Sequence, residues 1–363
     1  MATYKSIKYI IPTEAVEHTD SINALADVDT TTVAPSVGQT LKWSAANSRW
    51  QPADLEESAS GTQKAIFGFG DTNVAGNRFS NLTNIVSSTG IVATDTTGVG
   101  TARDYLAASG YGGDKSIFGF GFASGSPSST NVTNLVSNTG VVASDQTGVG
   151  TARGTLAAAG FGGDKAIFGF GGDNETTNVT NLVSNTGVVS SDTTGVGTVR
   201  GVLAAASYGG DKALFGFGYD DVSYTYIYYT LTNLVSNTGV VATDTSTVSG
   251  VTGRQGVSAA GFGGDKAIFG FGNNENDGFI NISNLVSSTG IVATDTTGVG
   301  TAREGLAASG YGNDKAIFGF GSTPNTRYNM TNLVSNTGVV ATDTTGVGTA
   351  RSSLAAAGYS TTA

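Results

Sequence analysis

One phrase recurs six times along the chain, and it constrains the fold more than any other feature. The phrase K-(A/S)-(I/L)-F-G-F-G begins at Lys64, Lys115, Lys165, Lys212, Lys266 and Lys315, a spacing of about 50 residues. Each copy continues through a variable stretch and a near-constant phrase such as NLVSNTGVVATDTTGVGTAR, then ends in small residues such as LAAAGFGGD. A period of this length predicts an array of equivalent β units that bury their cores against one another.

Each unit is predicted to contain four short strands. The small-residue phrase forms the first strand, KAIFGFG the second, TNLVS the third and VVATD the fourth. A Gly-Gly-Asp turn such as Gly112-Gly113-Asp114 joins the first two strands, and an Asn-Thr-Gly turn such as Asn138-Thr139-Gly140 joins the last two.

The second strand is predicted to be apolar on both faces. Because side chains alternate along a strand, Phe67 and Phe69 are expected on one face, with Ile66 and Gly68 on the other. A sheet with two apolar faces is expected to be covered on both sides, as blades are when they pack face to face around an axis. The small-residue first strand suits the crowded position nearest that axis.

The two ends of the array are complementary. The first copy begins at Lys64 without a preceding small-residue strand, and the last copy ends at Tyr359 without a following KAIFGFG. We expect the C-terminal strand to pair with Lys64 to Gly70, which removes the open sheet edges. The predicted fold is all-β, a six-bladed β-propeller of four-stranded blades over residues 61–363, closed by the C-terminal strand.

The repeat resembles the kelch unit, in which an arginine precedes a small-residue strand, a turn and an aliphatic-aromatic strand ending in glycines. Arg153 to Gly171 carries this pattern. The likeness covers residues 61–363 and implies a kelch-like propeller. The chain departs from the family in having Gly-Phe-Gly where kelch units have Gly-Gly, and in lacking the tryptophan of the outer strand.

Composition excludes several classes of function. The net charge of −10 makes a nucleic-acid partner improbable because a phosphate backbone would repel the chain. The chain has no cysteine and a single histidine, His18, so cysteine nucleophiles, multi-histidine metal sites and a Ser-His-Asp triad within the repeats lack their residues. No cofactor and no metal site is predicted. No apolar run predicts a signal peptide or a membrane-inserted segment.

Residues 1–60 contain no copy of the repeat and are predicted to form a separate attachment or oligomerisation segment. The stretch Gln39 to Trp43, a turn over Ser44 to Ser48, and Arg49 to Pro52 predict a hairpin in which both tryptophans, Trp43 and Trp50, are available to pack. Sixty residues without disulfides make a marginal core, so this segment is expected to order against a larger body.

The stretch from Leu25 to Asp54 resembles a short module of tail-fibre and other virion proteins of tailed bacteriophages. The likeness rests on Asp27-Val28-Asp29, Pro35, Gly38-Gln39, Leu41-Lys42-Trp43 and Trp50-Gln51-Pro52-Ala53-Asp54. It implies a virion location, on the tail or the capsid surface, with other virion proteins as partners of residues 1–60. Because fibre proteins are often trimers, it also implies a possible homotrimer. The alternative interpretation is an ordinary linker hairpin.

One stretch of the unit differs between copies in both length and content, the one that follows F-G-F-G and connects the second and third strands. These variable loops are Asp71–Ser80, Phe122–Thr130, Gly172–Asn178, Tyr219–Thr230, Asn273–Phe279 and Ser322–Tyr328. Equivalent loops are expected to emerge on one face, where a rigid scaffold presents a binding surface. Neutral drift of unconstrained loops is the competing explanation.

The variable loops are rich in aromatic side chains beside hydrogen-bonding groups, a combination that suits sugars. The candidate ligand-binding residues are Arg78, Phe79, Asp173, Tyr219, Asp220, Asp221, Tyr224, Tyr226, Tyr228, Arg327 and Tyr328. The expected ligand is a host surface glycan or receptor, or a neighbouring virion protein.

An aspartate and an arginine occur once in every unit, and six equivalent catalytic sites would be unusual. They are Asp95, Asp145, Asp192, Asp244, Asp295 and Asp343, with Arg103, Arg153, Arg200, Arg254, Arg303 and Arg351. We expect an ion pair or an arginine-to-carbonyl bridge between adjacent blades. The turn pair Asp114-Lys115 is expected to be solvated and to contribute little.

The predicted function is a virion-associated structural or adhesin protein, a tail fibre or capsid decoration, that is not an enzyme. One alternative is a propeller glycosidase that uses two loop carboxylates among Asp173, Glu175, Asp220, Asp221, Glu275 and Asp277. Another is a purely structural disc whose loops bind nothing.

Overall fold

A computed structural model describes residue 28 and residues 39–44, 48–54, 63–74, 78–222, 225–274 and 276–361. The described residues contain β-strands and no helix, and hence no helix that could cross a membrane. The chain divides into two compact units, Met1–Ala59 and Ser60–Ala363, which are described separately.

In the first unit, Gln39–Ser44 and Arg49–Asp54 form the antiparallel hairpin that the sequence predicts, with Trp43 opposite Trp50. Val28 is buried and forms a parallel bridge to Trp50. The side chain of Trp50 is 40% exposed, and that of Trp43 lies outside the described side chains.

The second unit consists of six small antiparallel sheets, one for each copy of the repeat. In each, the second strand lies between the first and the third. The strands, in that order, are Ala355–Ser360, Gln63–Asp71 and Phe79–Val86 in sheet 1; Ala107–Tyr111, Lys115–Gly119 and Thr133–Val136 in sheet 2; Ala157–Phe161, Lys165–Gly169 and Thr180–Val183 in sheet 3; Ala204–Tyr208, Lys212–Gly216 and Leu231–Val235 in sheet 4; Ser258–Phe262, Lys266–Asn274 and Gly278–Val286 in sheet 5; and Ala307–Tyr311, Lys315–Gly319 and Thr331–Val334 in sheet 6.

Three further strand pairs lie beside the sheets: Arg103–Asp104 with Phe122–Ala123, Tyr219–Val222 with Thr225–Tyr228, and Ser322–Thr323 with Thr326–Arg327. The last two are hairpins within variable loops.

The predicted pairing between the chain ends is present in sheet 1. Ala355–Ser360 pairs antiparallel with Gln63–Asp71, and Tyr359 lies opposite Lys64. The first and second strands of sheet 2 pair in the same register, with Tyr111 opposite Lys115, but there a Gly-Gly-Asp turn joins the two strands. Sheet 1 therefore copies the others although its first and second strands come from opposite ends of the chain.

The predicted fourth strand is largely absent. Only sheet 4 has one, Thr245–Ser246, and the other sheets have isolated bridges such as Val86 to Val92 and Thr83 to Thr96. The two bridges differ in register by one residue, which marks a bulge. The Asn84 side chain fills this bulge, because its Nδ2 donates to the Ala93 carbonyl and to Asp95 Oδ1 at 3.0 and 2.9 Å. The fourth segment is thus held by a side chain in place of a continuous ladder.

The prediction that Phe67 and Phe69 share a face is wrong. Phe67 packs in a core cluster with Ala65 and Ile317, whereas Phe69 packs in another with Ile66 and Phe118. The cause is the backbone of Phe69, whose φ of 66° lies in the left-handed region and breaks the strand alternation. The equivalent phenylalanine has a positive φ in all six sheets, so the feature belongs to the repeat.

This left-handed phenylalanine joins neighbouring sheets. The rings of Phe69 and Phe118 lie 5.1 Å apart between centroids, and the same contact links each sheet to the next. Phe320 of sheet 6 then packs on Phe67 of sheet 1 at 5.1 Å. A Cβ on Gly68 would lie 2.8 Å from Phe118 Cζ, which explains the glycine before each left-handed phenylalanine.

Backbone hydrogen bonds also link the sheets in sequence and return to the start. Just before the first strands, each N–H donates to the equivalent carbonyl of the preceding copy, at 2.8 to 3.2 Å, through Tyr105, Thr155, Val202, Gly256, Gly305 and Ser353. At the other end of the same strands, Gly112, Gly162, Gly209, Gly263, Gly312 and Ser360 donate to Asp164, Asp211, Asp265, Asp314, Gln63 and Asp114. In both sets of hydrogen bonds, sheet 1 is linked to sheet 6 as well as to sheet 2.

Candidate functional site

Each repeated arginine is buried between two sheets and has a structural role. Arg103 Nε donates to the Phe120 carbonyl at 2.8 Å and Nη2 donates to Asn134 Oδ1 at 2.7 Å. Its guanidinium lies 4.2 Å from the ring centroid of Phe69 in the preceding sheet. Burial lowers the pKa of Arg103 to about 10, so it stays charged at neutral pH. The predicted arginine-to-carbonyl bond therefore forms, but it lies within one sheet and not between neighbouring sheets, because Phe120 and Asn134 belong to the sheet that Arg103 leads into. The contact with the neighbouring sheet is the stacking of the guanidinium on Phe69.

The repeated aspartate works mainly through hydrogen bonds. Asp145 accepts from Thr101 Oγ1 at 2.6 Å and from Asn134 Nδ2 at 2.8 Å. Burial acts to raise its pKa, but these bonds hold the pKa below its usual value. The nearest arginine nitrogens lie 3.7 to 3.9 Å away in the three copies Arg200–Asp244, Arg303–Asp343 and Arg351–Asp95.

The turn pair Asp114-Lys115 departs from the prediction. Lys115 is exposed, but the Asp114 side chain is only 4% exposed, because the C-terminal Ser360 docks here and donates its N–H to the Asp114 carbonyl. In sheets 3 to 6 the equivalent aspartates are 37 to 46% exposed, as expected.

A depression lies at the start of the first strands, lined by the residues that directly precede these strands in the six sheets. Its cavity volume is about 70 Å³, and it is lined by the pairs Tyr105-Leu106, Thr155-Leu156, Val202-Leu203, Gly256-Val257, Gly305-Leu306 and Ser353-Leu354. The first residue of each pair belongs to the closed set of backbone hydrogen bonds. The space suits one small group or a few water molecules rather than a drug-sized ligand.

The variable loops begin beside this depression. The residue after each buried arginine bridges the first residue of a variable loop, as Gly201 does with Tyr219 and Glu304 with Ser322. That residue lies one position before the depression lining and differs between copies: Asp104, Gly154, Gly201, Gln255, Glu304 and Ser352. The variable loops therefore begin next to the segments that line the depression.

Tyr105 connects groups from several sheets. Its ring lies 6.1 Å from that of Phe122, and burial raises the pKa of its hydroxyl, partly offset by a hydrogen bond with Ser353. Glu304 and Tyr219 interact with Tyr105 electrostatically, although they come from sheets 6 and 4. Tyr105 thus lines the depression with its ring against that of Phe122 and its hydroxyl bonded to Ser353.

The hairpin of sheet 4 presents a cluster of tyrosines. Tyr219 lies 5.6 Å from Tyr226 and 6.2 Å from Tyr228 between ring centroids. Tyr226 is 49% exposed, and Ile227 and Val222 on the other face of the hairpin are also exposed. These exposed aromatic faces can stack on an apolar ligand surface.

Two arginines predicted to bind ligand are instead engaged by acids. Arg78 Nε lies 3.1 Å from Asp71 Oδ2, and Arg78 Nη2 lies 2.8 Å from Asp104 Oδ2. Arg327 Nη2 approaches the same Asp71 oxygen at 3.3 Å. Asp104 is fully buried, its Oδ1 has no hydrogen-bond partner, and burial raises its pKa to about 6 against the opposing effect of Arg78. This network joins sheets 1, 2 and 6.

Burial raises the pKa of Glu304, as it does that of Asp104, and the nearby Arg327 acts to lower it. It is half-buried, and a Cβ on Gly256 would lie 2.8 Å from Glu304 Oε2, so the carboxylate lies over the Gly256 backbone at the depression. Its backbone pairs with Ser322, but within the described part of the chain no group donates a hydrogen bond to its carboxylate.

The other predicted residues are spread around the loops. Asp173 accepts from Ser129 Oγ at 3.0 Å and Asp220 from Thr176 Oγ1 at 2.6 Å, which ties neighbouring loops together. Asp221 is exposed. Phe79 lies under Arg78 at 5.2 Å, and Tyr328 Oη is 3.5 Å from Thr323 Oγ1. Tyr224 and Glu275 lie outside the described residues.

Asp104, Tyr105 and Glu304 were missed because they lie outside the variable loops as defined from the sequence. The signal was present: after the constant phrase ending in arginine, the copies continue with Asp, Gly, Gly, Gln, Glu and Ser. The residue after the constant arginine thus differs between copies, which indicates that the repeated fold does not fix the residue type there.

Across the described residues, no three His, Cys, Asp or Glu side chains come together in a group that could hold a metal ion. No protein-family model matches the chain, and no curated protein matches it.

Proposed function

We propose that residues 60–363 form a kelch-like six-bladed β-propeller that binds a carbohydrate on its variable-loop face. Three kinds of contact that return from sheet 6 to sheet 1 support the propeller: the phenylalanine pairs and the two closed sets of backbone hydrogen bonds. With the first strands nearest the axis, the depression lies on the axis. A crystal structure with Gln63–Asp71 unpaired would contradict this architecture.

The observation that carries the binding proposal is that the buried Asp104 and the half-buried Glu304 adjoin the depression, while the tyrosine hairpin begins at Tyr219, which bridges the segment next to the depression lining. A tyrosine offers a sugar ring a flat apolar face, and an acid accepts bonds from its hydroxyls. Tyr219 and Tyr226 supply the rings, and Glu304 supplies the acceptor. Neutral drift of the loops alone gives no reason for tyrosines and acids to be found together there.

We further propose that the protein is a virion-associated fibre or decoration protein, anchored by residues 1–60 and displaying the propeller. The support is the resemblance of Leu25 to Asp54 to tail-fibre modules, with Trp43 and Trp50 paired in the hairpin. Partners would be other virion proteins, and a homotrimer follows by analogy with fibres. Immunogold labelling of purified particles tests the location.

A glycan array with the full chain tests the binding proposal. Tyr226→Ala is expected to weaken binding about tenfold, since an aromatic contact contributes roughly 0.5–1.5 kcal/mol beyond its buried area. The control is Val188→Ala, which truncates a 66% exposed side chain beside an Asn-Thr-Gly turn. Equal loss in both variants, or no binding by the parent chain, would contradict the proposal.

The raised pKa values of Asp104 and Glu304 favour one alternative, a glycosidase that uses these two acids. This pair differs from the loop carboxylates that the sequence singled out. Release of reducing ends from a bound polysaccharide, abolished in Asp104→Asn and Glu304→Gln, would support hydrolysis over binding alone.

A further inference from the structure

Glu304 directly follows a buried arginine, at the repeat position that Asp104 holds in sheet 2. It lies at the depression over Gly256, where a larger residue would displace it, since a Cβ there would come within 2.7 Å of Glu304 Cβ. The residue is half-buried, so its carboxylate has lost part of its water. No described residue donates a hydrogen bond to that carboxylate in exchange.

A partly desolvated carboxylate without donors is costly to the folded protein. The repeated aspartates show the contrast, because each accepts hydrogen bonds from a threonine and an asparagine, as Asp343 does from Thr301 and Asn332. Glycine stands at the position of Glu304 in sheets 3 and 4, so the fold itself does not require an acid there. The missing donors can come from a ligand.

The charges around Glu304 limit which ligand this can be. Arg78 is held by Asp71 and Asp104, and Arg327 by Asp71. The Nε of Arg327 has no partner but is buried, so an approaching anion cannot reach it. Arg78 is 56% exposed, but both arginines of the network already face carboxylates. The three acids Asp71, Asp104 and Glu304 outnumber the two arginines, so the network carries a net negative charge that disfavours an acidic ligand.

We infer that Glu304 is a specificity-determining subsite at the depression that accepts a hydrogen bond from a hydroxyl or ammonium group and rejects anionic sugars. The bound glycan unit is accordingly neutral or basic. This inference rests on the proposed function, carbohydrate binding at the depression. Tyr105 lines the same depression, and Tyr219 and Tyr226 would cover the apolar face of the sugar.

The test compares three probe sets on the full chain: neutral mannose, glucose and galactose oligomers, glucosamine oligomers, and acidic sialylated or galacturonate oligomers. Binding is expected for neutral or glucosamine probes and not for acidic ones. Glu304→Gln is expected to weaken the affinity for the best probe by about tenfold to a hundredfold, as loss of a charge-assisted hydrogen bond does. Isothermal titration calorimetry measures the change.

Glu175→Gln is the matched control, since Glu175 is an exposed acid of another variable loop. It is expected to leave the affinity unchanged, and both variants are checked for an unaltered unfolding midpoint. Exclusive binding of acidic probes, or equal affinities of the parent and Glu304→Gln, would overturn the subsite while leaving carbohydrate binding intact. Binding of no probe set by the parent would overturn the proposed function and the subsite with it.

Discussion

Replacing Asp104 by asparagine is expected to stabilise the protein at neutral pH. Asp104 is fully buried, and only its Oδ2 has a partner, the exposed Arg78. Burial raises its pKa from 3.8 to about 6. Since one pKa unit corresponds to about 1.4 kcal/mol, keeping Asp104 ionised in the folded state costs roughly 3 kcal/mol above pH 6.

The sign of the pH dependence follows from the raised pKa. Between about pH 4 and pH 6 the folded chain binds more protons at Asp104 than the unfolded chain, so this group favours folding in acid and loses that contribution as pH rises through about 6. Asparagine has nearly the same shape and no charge at any pH. The gain from Asp104→Asn is therefore about 3 kcal/mol at pH 7.5 and near zero at pH 4.

Urea unfolding followed by circular dichroism from pH 4 to pH 8 measures this difference. For about 300 residues, 3 kcal/mol corresponds to a rise of roughly 5 °C in the melting midpoint. Asp173→Asn, at an exposed loop acid, is the control and should follow the parent profile. Parallel profiles of Asp104→Asn and the parent, or a variant less stable at pH 7.5, would refute the reasoning.

Three further perturbations test the packing between sheets by the change in free energy of unfolding. Arg153→Met leaves Asn181 Oδ1 and the Phe170 carbonyl without their buried donor and is expected to cost about 1–3 kcal/mol; a cost below 1 kcal/mol would argue against the bridge. Gly119→Ala brings a Cβ within 2.9 Å of the next sheet and should cost about 1–3 kcal/mol, whereas Gly163→Ala meets no atom within 4 Å and should cost only its backbone strain, about 1 kcal/mol. Removing residues 355–363 exposes a sheet edge and should cause aggregation in light scattering, which an unchanged monomeric chain would disprove.

The six-fold repeat predicted much of the fold because the local pattern and the contacts agree. Turn residues fixed the hairpin between the first and second strands, and the complementary ends predicted the pairing of Ala355–Ser360 with Gln63–Asp71. The prediction failed at Phe69 and at the fourth strand. At Phe69 the ring packs on the next sheet, and the alternation of side chains along the strand is broken there. At the fourth strand the inserted Asn84 side chain replaces the backbone ladder.

The candidate site was predicted only in part. The sequence identified the tyrosines of the Tyr219–Thr230 loop, and three of them, Tyr219, Tyr226 and Tyr228, cluster. It also named Arg78 and Arg327 as candidate ligand-binding residues, and the structure places both against acids. Arg327 and Asp71 lie 256 positions apart in the chain, so no local sequence pattern predicts their ion pair.

By itself the sequence determined the number of units, the strand pattern, the glycine-rich turns and the variable positions, because each follows from residue types that recur at a regular spacing. Only the tertiary structure decided which variable side chains meet. Asp104 and Tyr105 lie in one copy of the repeat and Glu304 in another, and all three adjoin the depression because the segments entering the first strands are linked by a closed set of hydrogen bonds. Burial there, a property of the assembled sheets, gives the two acids their raised pKa values.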